Sequence, residues 1–249
     1  FIFEDKNDFF VIYEKFIYNE IKGHLCGRQI ITMKNNLELG NEFEILNNKF
    51  HLSYPFTFQR DSTNYFIPEN SENGANLYLL KSSIKNGQKI FKAEKVKKLF
   101  NGYAIDPTLI KVGNYDYLFV SGVSNRFSDV LYVYYSKDIT KYPIKEHTSS
   151  PLVVDHTLGR SAGRIFWDNK LKKYIRPSQI CTTLYGEGIA FSTMEISKKS
   201  IEITEISYKY KTKKSFSEYS RFHHIESNYN FLAIDYVNRN NEFITSKHF

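Results

Sequence analysis

Tyr54-Pro55-Phe56-Thr57-Phe58 and Asp106-Pro107-Thr108-Leu109-Ile110 decide the fold. In each, a proline leads into a short apolar run, and Pro107 follows Pro55 by 52 residues. Proline suits the first residue of a strand, where its missing N–H costs the ladder little. The runs that follow keep the same order. A second strand is expected at 64–69 and at 115–121, a third at 76–80 and 130–135, and a fourth at 93–96 and 142–145. Working outward, 1–3, 8–13 and 24–33 read as an opening unit. Residues 161–166, 173–176 and 188–194 read as a fourth unit, and 222–225, 230–236 and 242–246 as a fifth. A repeat of roughly 40–50 residues carrying four strands is the pattern of a propeller blade. The chain has 249 residues, which suits five such units. The expectation is therefore an all-β chain: a five-bladed β-propeller of four-stranded antiparallel blades, with residues 1–249 forming a single domain. Because the chain opens at Phe1, it is expected to be a fragment or module of a longer protein. A β-sandwich ranks second, since it would not show the four-strand period.

Composition agrees. Aromatic residues make up 16% of the chain, with 21 Phe and 19 Tyr, which argues against disorder and for half-buried strands. With only 6 Pro and 12 Gly, collagen-like and low-complexity character are excluded. Residues 89–100, the best helix candidate, alternate too strictly for a 3.6-residue period. No apolar run approaches the ~18 residues of a membrane span, and no leader is visible, so no membrane span and a cytoplasmic setting are expected. Cys26 and Cys181, the two cysteines, support neither a disulfide framework nor a four-cysteine zinc site and read as reduced thiols. The net charge of +7 fits an anionic partner. Its lysines and arginines are spread along the chain without a nucleic-acid motif, so nucleic acid is not the expected partner.

A propeller gives these residues places. The first strand of each blade begins at one mouth of the central channel, and the second strand ends at that same mouth. First-strand starts then supply His51, Ser53, Tyr54, Asp106, Arg160 and His224. Second-strand ends supply Glu14, Glu69, Ser121, Arg176, Gln179 and Asp235. The intervals from Ser53 to Glu69, from Asp106 to Ser121 and from Arg160 to Arg176 are 16, 15 and 16 residues. So many polar groups around an axis suggest a pocket for a polar ligand.

At this point the motifs carry a resemblance. His51-Leu-Ser-Tyr-Pro55, Ile67-Pro-Glu69, Ile105-Asp-Pro-Thr108, Gly159-Arg-Ser-Ala-Gly-Arg164, Arg176-Pro-Ser-Gln179 and Tyr185-Gly186 together look like one module. The chain resembles, over nearly its whole length, the propeller domain found beside the transferase domain of glucosamine inositolphosphorylceramide transferases. It is also similar to modules in some bacterial formyltransferase-like proteins and to the five-bladed propellers of glycoside hydrolase family 43. The fifth unit, with His224 and Ile234-Asp235, matches least well. The resemblance implies a covalently linked transferase domain. Family members place Ala-Asp-Pro just before the strand corresponding to Phe1-Ile-Phe3, and in the related hydrolases that first-blade aspartate is the general base. The present chain begins after that point, so either an upstream segment completes the set or the base is lacking.

Cleavage of a glycosidic bond usually needs two carboxyl groups, an acid and a base or nucleophile. Asp106 and Glu69 are the candidate catalytic residues. Asp106 resembles the middle-blade aspartate of the hydrolases, which tunes the acid and orients substrate; its plainer role is to cap the turn before Pro107. Glu69 reads as the acid, or else as the salt-bridge partner of Arg160 or Arg176. Glu14 and Glu187 are lesser candidates. Arg160, Arg164 and Arg176 offer planar forks for carboxylate or phosphate and point to an anionic sugar or sugar phosphate, unless they neutralise Asp106, Glu69 and Asp235. His51 and His224 read as hydrogen-bonding sugar hydroxyls or a channel water, or else as structural histidines, and Gln179 joins the binding set from its second-strand end. Tyr54 and Tyr185, with Trp167, would stack on a sugar ring or pack in the core. His51, His224 and Asp106 carry no zinc spacing, so neither a metal nor another cofactor is implied. Three functions follow: a glycoside-acting enzyme, a non-catalytic glycan-binding module of a glycan-assembly protein, and a protein-interaction scaffold.

Overall fold

The computed structural model describes residues 1–33, 36–70, 74–122, 129–182, 185–211, 219–227 and 230–238. The chain forms two compact units, Phe1–Pro107 and Thr108–Phe249. In the first, β1 (Ile2–Asp5), β2 (Asp8–Ile17), β3 (Lys22–Met33) and β4 (Asn36–Leu39) lie side by side in chain order, and β5 (Phe43–Leu46) also pairs with β3. A second sheet runs β6 (Ser53–Arg60), β7 (Thr63–Glu69), β8 (Asn76–Lys85), β9 (Gln88–Lys98). Alternation decides which side chains face inward. On β2, Phe10 and Ile12 are fully buried while Phe9, Val11 and Tyr13, on the other face, are only partly buried. Phe10 meets Phe91 of β9 edge-on at 4.8 Å, and Phe3 of β1 closes the cluster at 5.4 and 5.0 Å from their rings. Each such buried ring contributes about 1.5–3 kcal/mol.

The second unit continues the pattern. Strand β10 (Ile105–Val112) enters it, followed by β11 (Tyr115–Ser121), β12 (Val130–Ser136) and the short β13 (Lys145–Glu146), with β14 (Val153–Val154) added to β12. Next come β15 (Phe166–Asp168), β16 (Lys173–Ile180), β17 (Gly188–Ile196) and β18 (Ile201–Lys211), again in chain order. The last pair is β19 (Tyr219–Ser227) and β20 (Leu232–Asn238). Tyr117, Phe119, Leu131, Val133, Ile165, Met194 and Ile201 form a core cluster within this unit.

The chain is all-β, built of four-stranded antiparallel blades, and among the described residues the blades number four rather than the five expected. The fifth sheet has only β19 and β20, because residues 242–246, read as its next strand, lie outside the described residues. Two boundaries also differ. The strand expected at 142–145 is reduced to β13, because Ile139 N–H is drawn to the buried Asp116 carboxylate (2.8 Å) and Asp138 turns the chain onto Thr140. The strand expected at 161–166 begins only at Phe166, with a single bridge from Ser161 to Ser178 before it. Gly163, at φ +137°, breaks the extended run. Among the described residues no helix is long and apolar enough to cross a membrane.

Candidate functional site

In the first unit the blade geometry joins strand ends to strand starts. Ser53 pairs with Glu69, and the ladder then slips at Tyr54-Pro55 before Phe56 meets Ile67. This bulge accommodates Pro55, which has no N–H to give. Tyr54 takes φ +41°, and Asp106, its counterpart 52 residues on, takes φ +46°. Tyr54 rests edge-on against Phe1 at 4.8 Å. A bulky residue with positive φ is uncommon and costs about 1–3 kcal/mol, so its recurrence at both X-Pro steps marks a deliberate kink at each first-strand entry.

The kink brings the backbone of Asp106 to the carboxylate of Glu69. Asn70 and Ala104 form an antiparallel bridge, and one step on, Asp106 N–H donates to Glu69 Oε2 at 3.2 Å. Asp106 is 2% exposed, whereas Glu69 is half-buried. The preceding junction is built alike. Leu52 N–H donates to Gly23 O (3.0 Å), and Gly23 N–H donates to His51 Nδ1 (2.9 Å). That bond makes Nδ1 the acceptor and leaves Nε2 to carry the proton toward Glu14 Oε1, 3.6 Å away. Only glycine fits at position 23, since a Cβ would stand 2.7 Å from Leu52 O. The structure thus pairs Glu14 with His51 and Glu69 with Asp106.

In the second unit the centre is Arg160, and the loop bearing it is tied at nearly every residue. Asp155 Oδ1 accepts from the N–H groups of Thr157 (2.6 Å) and Leu158 (3.0 Å) and from the Thr157 hydroxyl. Burial raises the Asp155 carboxyl, but these bonds more than offset it and hold it below the ordinary value. Arg176, fully buried, donates to Leu158 O (2.5 Å), Gly159 O (3.4 Å) and Ser161 Oγ (3.2 Å). Gln179 donates through its backbone to Arg160 O (3.0 Å) and through Nε2 to Ser161 O (2.8 Å). Ser121, the second-strand end of the preceding blade, donates to Gly159 O (2.7 Å). Arg176 and Gln179 therefore position the loop that bears Arg160.

The Arg160 guanidinium lies over the ring of Tyr185, 4.9 Å from its centroid, and Tyr185 is 46% exposed. Beyond it, His223 meets Tyr185 edge-on at 5.1 Å, and His223 Nε2 stands 3.4 Å from Asp235 Oδ2. The sequence pointed to His224, not His223. The ladder slips between Phe222 and His224, and this bulge turns His223 toward Asp235. No sequence pattern marks such a slip. His224 is half-buried as a residue, but its Nε2 is shut from solvent. Burial holds its imidazole well below the ordinary pKa, and the neighbouring His223 and Arg164 push it the same way.

Arg164 donates through Nε (3.0 Å) and Nη2 (2.8 Å) to Oε1 of Glu226, which is 1% exposed. The sequence reading also missed Glu226, although its place two residues after His224 on one strand was a usable signal. Glu187 accepts from the Thr182 hydroxyl (2.5 Å), and Trp167 packs edge-on against Tyr174 at 4.9 Å. Among the described residues no group of three or more His, Cys, Asp or Glu side chains could hold a metal ion.

Solved structures that this chain resembles include two glycoside-acting enzymes. An exo-1,5-α-L-arabinanase from a bovine ruminal metagenomic library matches with a TM-score of 0.61 at 11% identity, over 98% of this chain and 89% of that one. The α-L-arabinofuranosidase PaAbf62A from Podospora anserina, solved with cellotriose, matches with a TM-score of 0.61 at 11% identity, covering 95% and 82%. At such identities the likeness shows the fold, a β-propeller, and nothing of the activity. A curated relative, glucosamine inositolphosphorylceramide transferase 1 of Oryza sativa subsp. japonica, is 26% identical over 197 residues, 72% of this chain. The chain spans about a quarter (24%) of that relative's length. The family described as glucosamine inositolphosphorylceramide transferase 1, N-terminal, matches across residues 1–237, and the chain belongs to it.

Proposed function

We propose that the chain is a carbohydrate-recognising propeller module, residues 1–249 acting as one part of a longer glycan-assembly protein with a transferase domain. The observation that carries this reading is Arg160 stacked on the exposed Tyr185, on a loop braced from beneath by Arg176 and Gln179. A guanidinium edge beside an aromatic ring suits an anionic sugar or sugar phosphate, the fork taking the acid group and the ring a sugar face. Bracing the loop in advance lowers the entropy lost on binding. The thiol of Cys26, pushed up to about 11 by burial and then by Glu42, stays protonated at neutral pH and takes no part in this reading, which keeps the cytoplasmic setting as a proposal.

The test is glycan-array binding by the wild type, Arg160→Ala and Tyr185→Ala. Loss of acidic-glycan binding in both variants supports the reading. Wild-type binding that neither substitution changes overturns it. A second reading, a glycoside-acting enzyme, draws on the contact between Glu69 and Asp106. Turnover of an array hit that Asp106→Asn abolishes would favour it over pure recognition.

A further inference from the structure

The first hairpin of three blades turns on two residues with no apolar side chain: Lys6-Asn7 between β1 and β2, Asp61-Ser62 between β6 and β7, and Gly113-Asn114 between β10 and β11. The turn between β15 and β16 is different. It has four residues, Asn169-Lys170-Leu171-Lys172, and the ribbon is apolar at its tip and on both flanks. Leu171 is 51% exposed, Trp167 46% and Phe166 45%. Neighbours on a strand point to opposite faces, so Phe166 and Trp167 present one apolar side chain on each face of the ribbon.

The turn is built to hold this shape. Asp168 Oδ1 accepts the N–H groups of Lys170 (2.7 Å) and Leu171 (2.8 Å), and Asp168 O accepts that of Lys172 (2.9 Å). Trp167 rests edge-on against its cross-strand partner Tyr174 at 4.9 Å. Behind the tip the ribbon is anchored, with Ile165 and Ile175 both buried. Lys170, Lys172 and Lys173 surround the apolar side chains, and Asp168 is the one acid in residues 166–174. Lys173 is paired with Glu195 (2.8 Å). Lys170 and Lys172 are exposed, and their side chains make no hydrogen bond or ion pair among the described residues.

Single exposed apolar side chains are ordinary. Three on one rigid tip, rimmed by unpaired lysines, make a patch of the kind that marks an interaction site. We infer that the β15–β16 hairpin is a membrane-docking wedge, which dips its tip into the interface of an anionic lipid bilayer. Trp167, Phe166 and Leu171 would sit at the boundary of headgroups and acyl chains, about 5–10 Å deep. Lys170 and Lys172 would meet acidic headgroups, each adding roughly fivefold to the affinity. A wedge in lipid uses apolar groups on both faces and at the tip, and this ribbon has all three. A sugar ring or a protein groove would cover one face and leave the other wet. The hairpin touches the bilayer without spanning it. Strand β16 runs from the tip at Lys173 to Gln179, whose N–H holds Arg160 O (3.0 Å), about 20 Å along the strand. Docking by the tip therefore leaves the Arg160 loop clear of the lipid.

Trp167 is the single tryptophan of the chain, so tryptophan emission reports on this hairpin alone. The test mixes the full chain with phosphatidylcholine vesicles, with and without phosphatidylserine, and follows Trp167 emission and co-sedimentation. The expected result is a blue shift and co-sedimentation with the phosphatidylserine vesicles, the emission being quenched by lipids brominated high on the acyl chain. Lys170→Ser/Lys172→Ser should weaken binding about twentyfold. Phe166→Ser/Leu171→Ser keeps the tryptophan and should abolish the blue shift. The melting temperature of each variant is checked against wild type. Arg160→Ala should bind vesicles as wild type does, which separates failure here from failure of the Arg160 site. No blue shift in the wild type, vesicle binding that either double variant retains in full, or a blue shift produced without lipid by a soluble glycan or by self-association would each overturn the proposal.

Discussion

Asp106 donates its backbone N–H to the carboxylate of Glu69 at 3.2 Å, across the junction between one blade and the next. Asp106 is held there at φ +46°, so its N–H has little freedom to seek another acceptor. Glu69→Ala should lower stability by about 1–2 kcal/mol, the cost of stranding a donor in a poorly solvated place. Glu69→Gln keeps an acceptor oxygen and should cost less than half as much. Urea denaturation of both variants checks the order. Equal losses would mean that the bond itself contributes nothing.

The ion pair between Arg164 and Glu226 gives a sharper test, because Glu226 is 1% exposed. Arg164→Met would leave a carboxylate buried beside an apolar chain, at about 3–5 kcal/mol. The double variant Arg164→Met/Glu226→Leu removes both charges and should recover most of that loss. A double-mutant cycle on unfolding free energies measures the recovery.

Gly163 stands at φ +137°, and a methyl group there would overlap Ile225 O. The neighbouring Ala162 O accepts the Ile225 N–H at 2.8 Å, so the two segments cannot part without breaking that bond. Gly163→Ala should therefore cost about 3 kcal/mol or more, strain and overlap combined. A thermal melt within a degree or two of wild type would contradict this.

The depressed pKa of His224 sets an acid limit. Burial keeps the folded imidazole neutral, whereas the unfolded chain takes a proton near pH 6.5. The unfolded state therefore binds more protons below that value, and stability falls as pH falls through it. His224→Gln cannot titrate, and its loss of stability between about pH 8 and about pH 5 should be smaller than that of wild type. Denaturation at the two pH values gives the comparison.

What the sequence made legible was local and periodic. Phe10, Ile12, Phe56 and Phe66 announced their strands because inward positions recur at every second residue. The repeated X-Pro step was legible too, and its recurrence at Tyr54 and Asp106 is matched by the same left-handed backbone value. Junctions were not legible. Nothing in Gln179 or Arg176 says that they hold the Arg160 loop rather than a ligand, because that depends on where the carbonyls of Leu158 and Ser161 fall. The turn of His223 toward Asp235 follows from one extra residue in a ladder, and a linear pattern does not record such a slip. Short outer strands such as β13, with two exposed residues, carry too few apolar side chains to be read at all.

The junction bonds have one further consequence, for how the chain is made. Gly23 with Leu52, Asn70 with Ala104, and Ala162 with Ile225 each link one sheet to the sheet that follows it in the chain. A sheet that has left the ribosome therefore needs only the opening residues of its successor to make its junction bonds. Synthesis proceeds at about 5–20 residues per second, so each blade of some fifty residues has seconds to form before the next arrives. The junction bonds can then form in the order of translation, with the newest stretch the last to be joined.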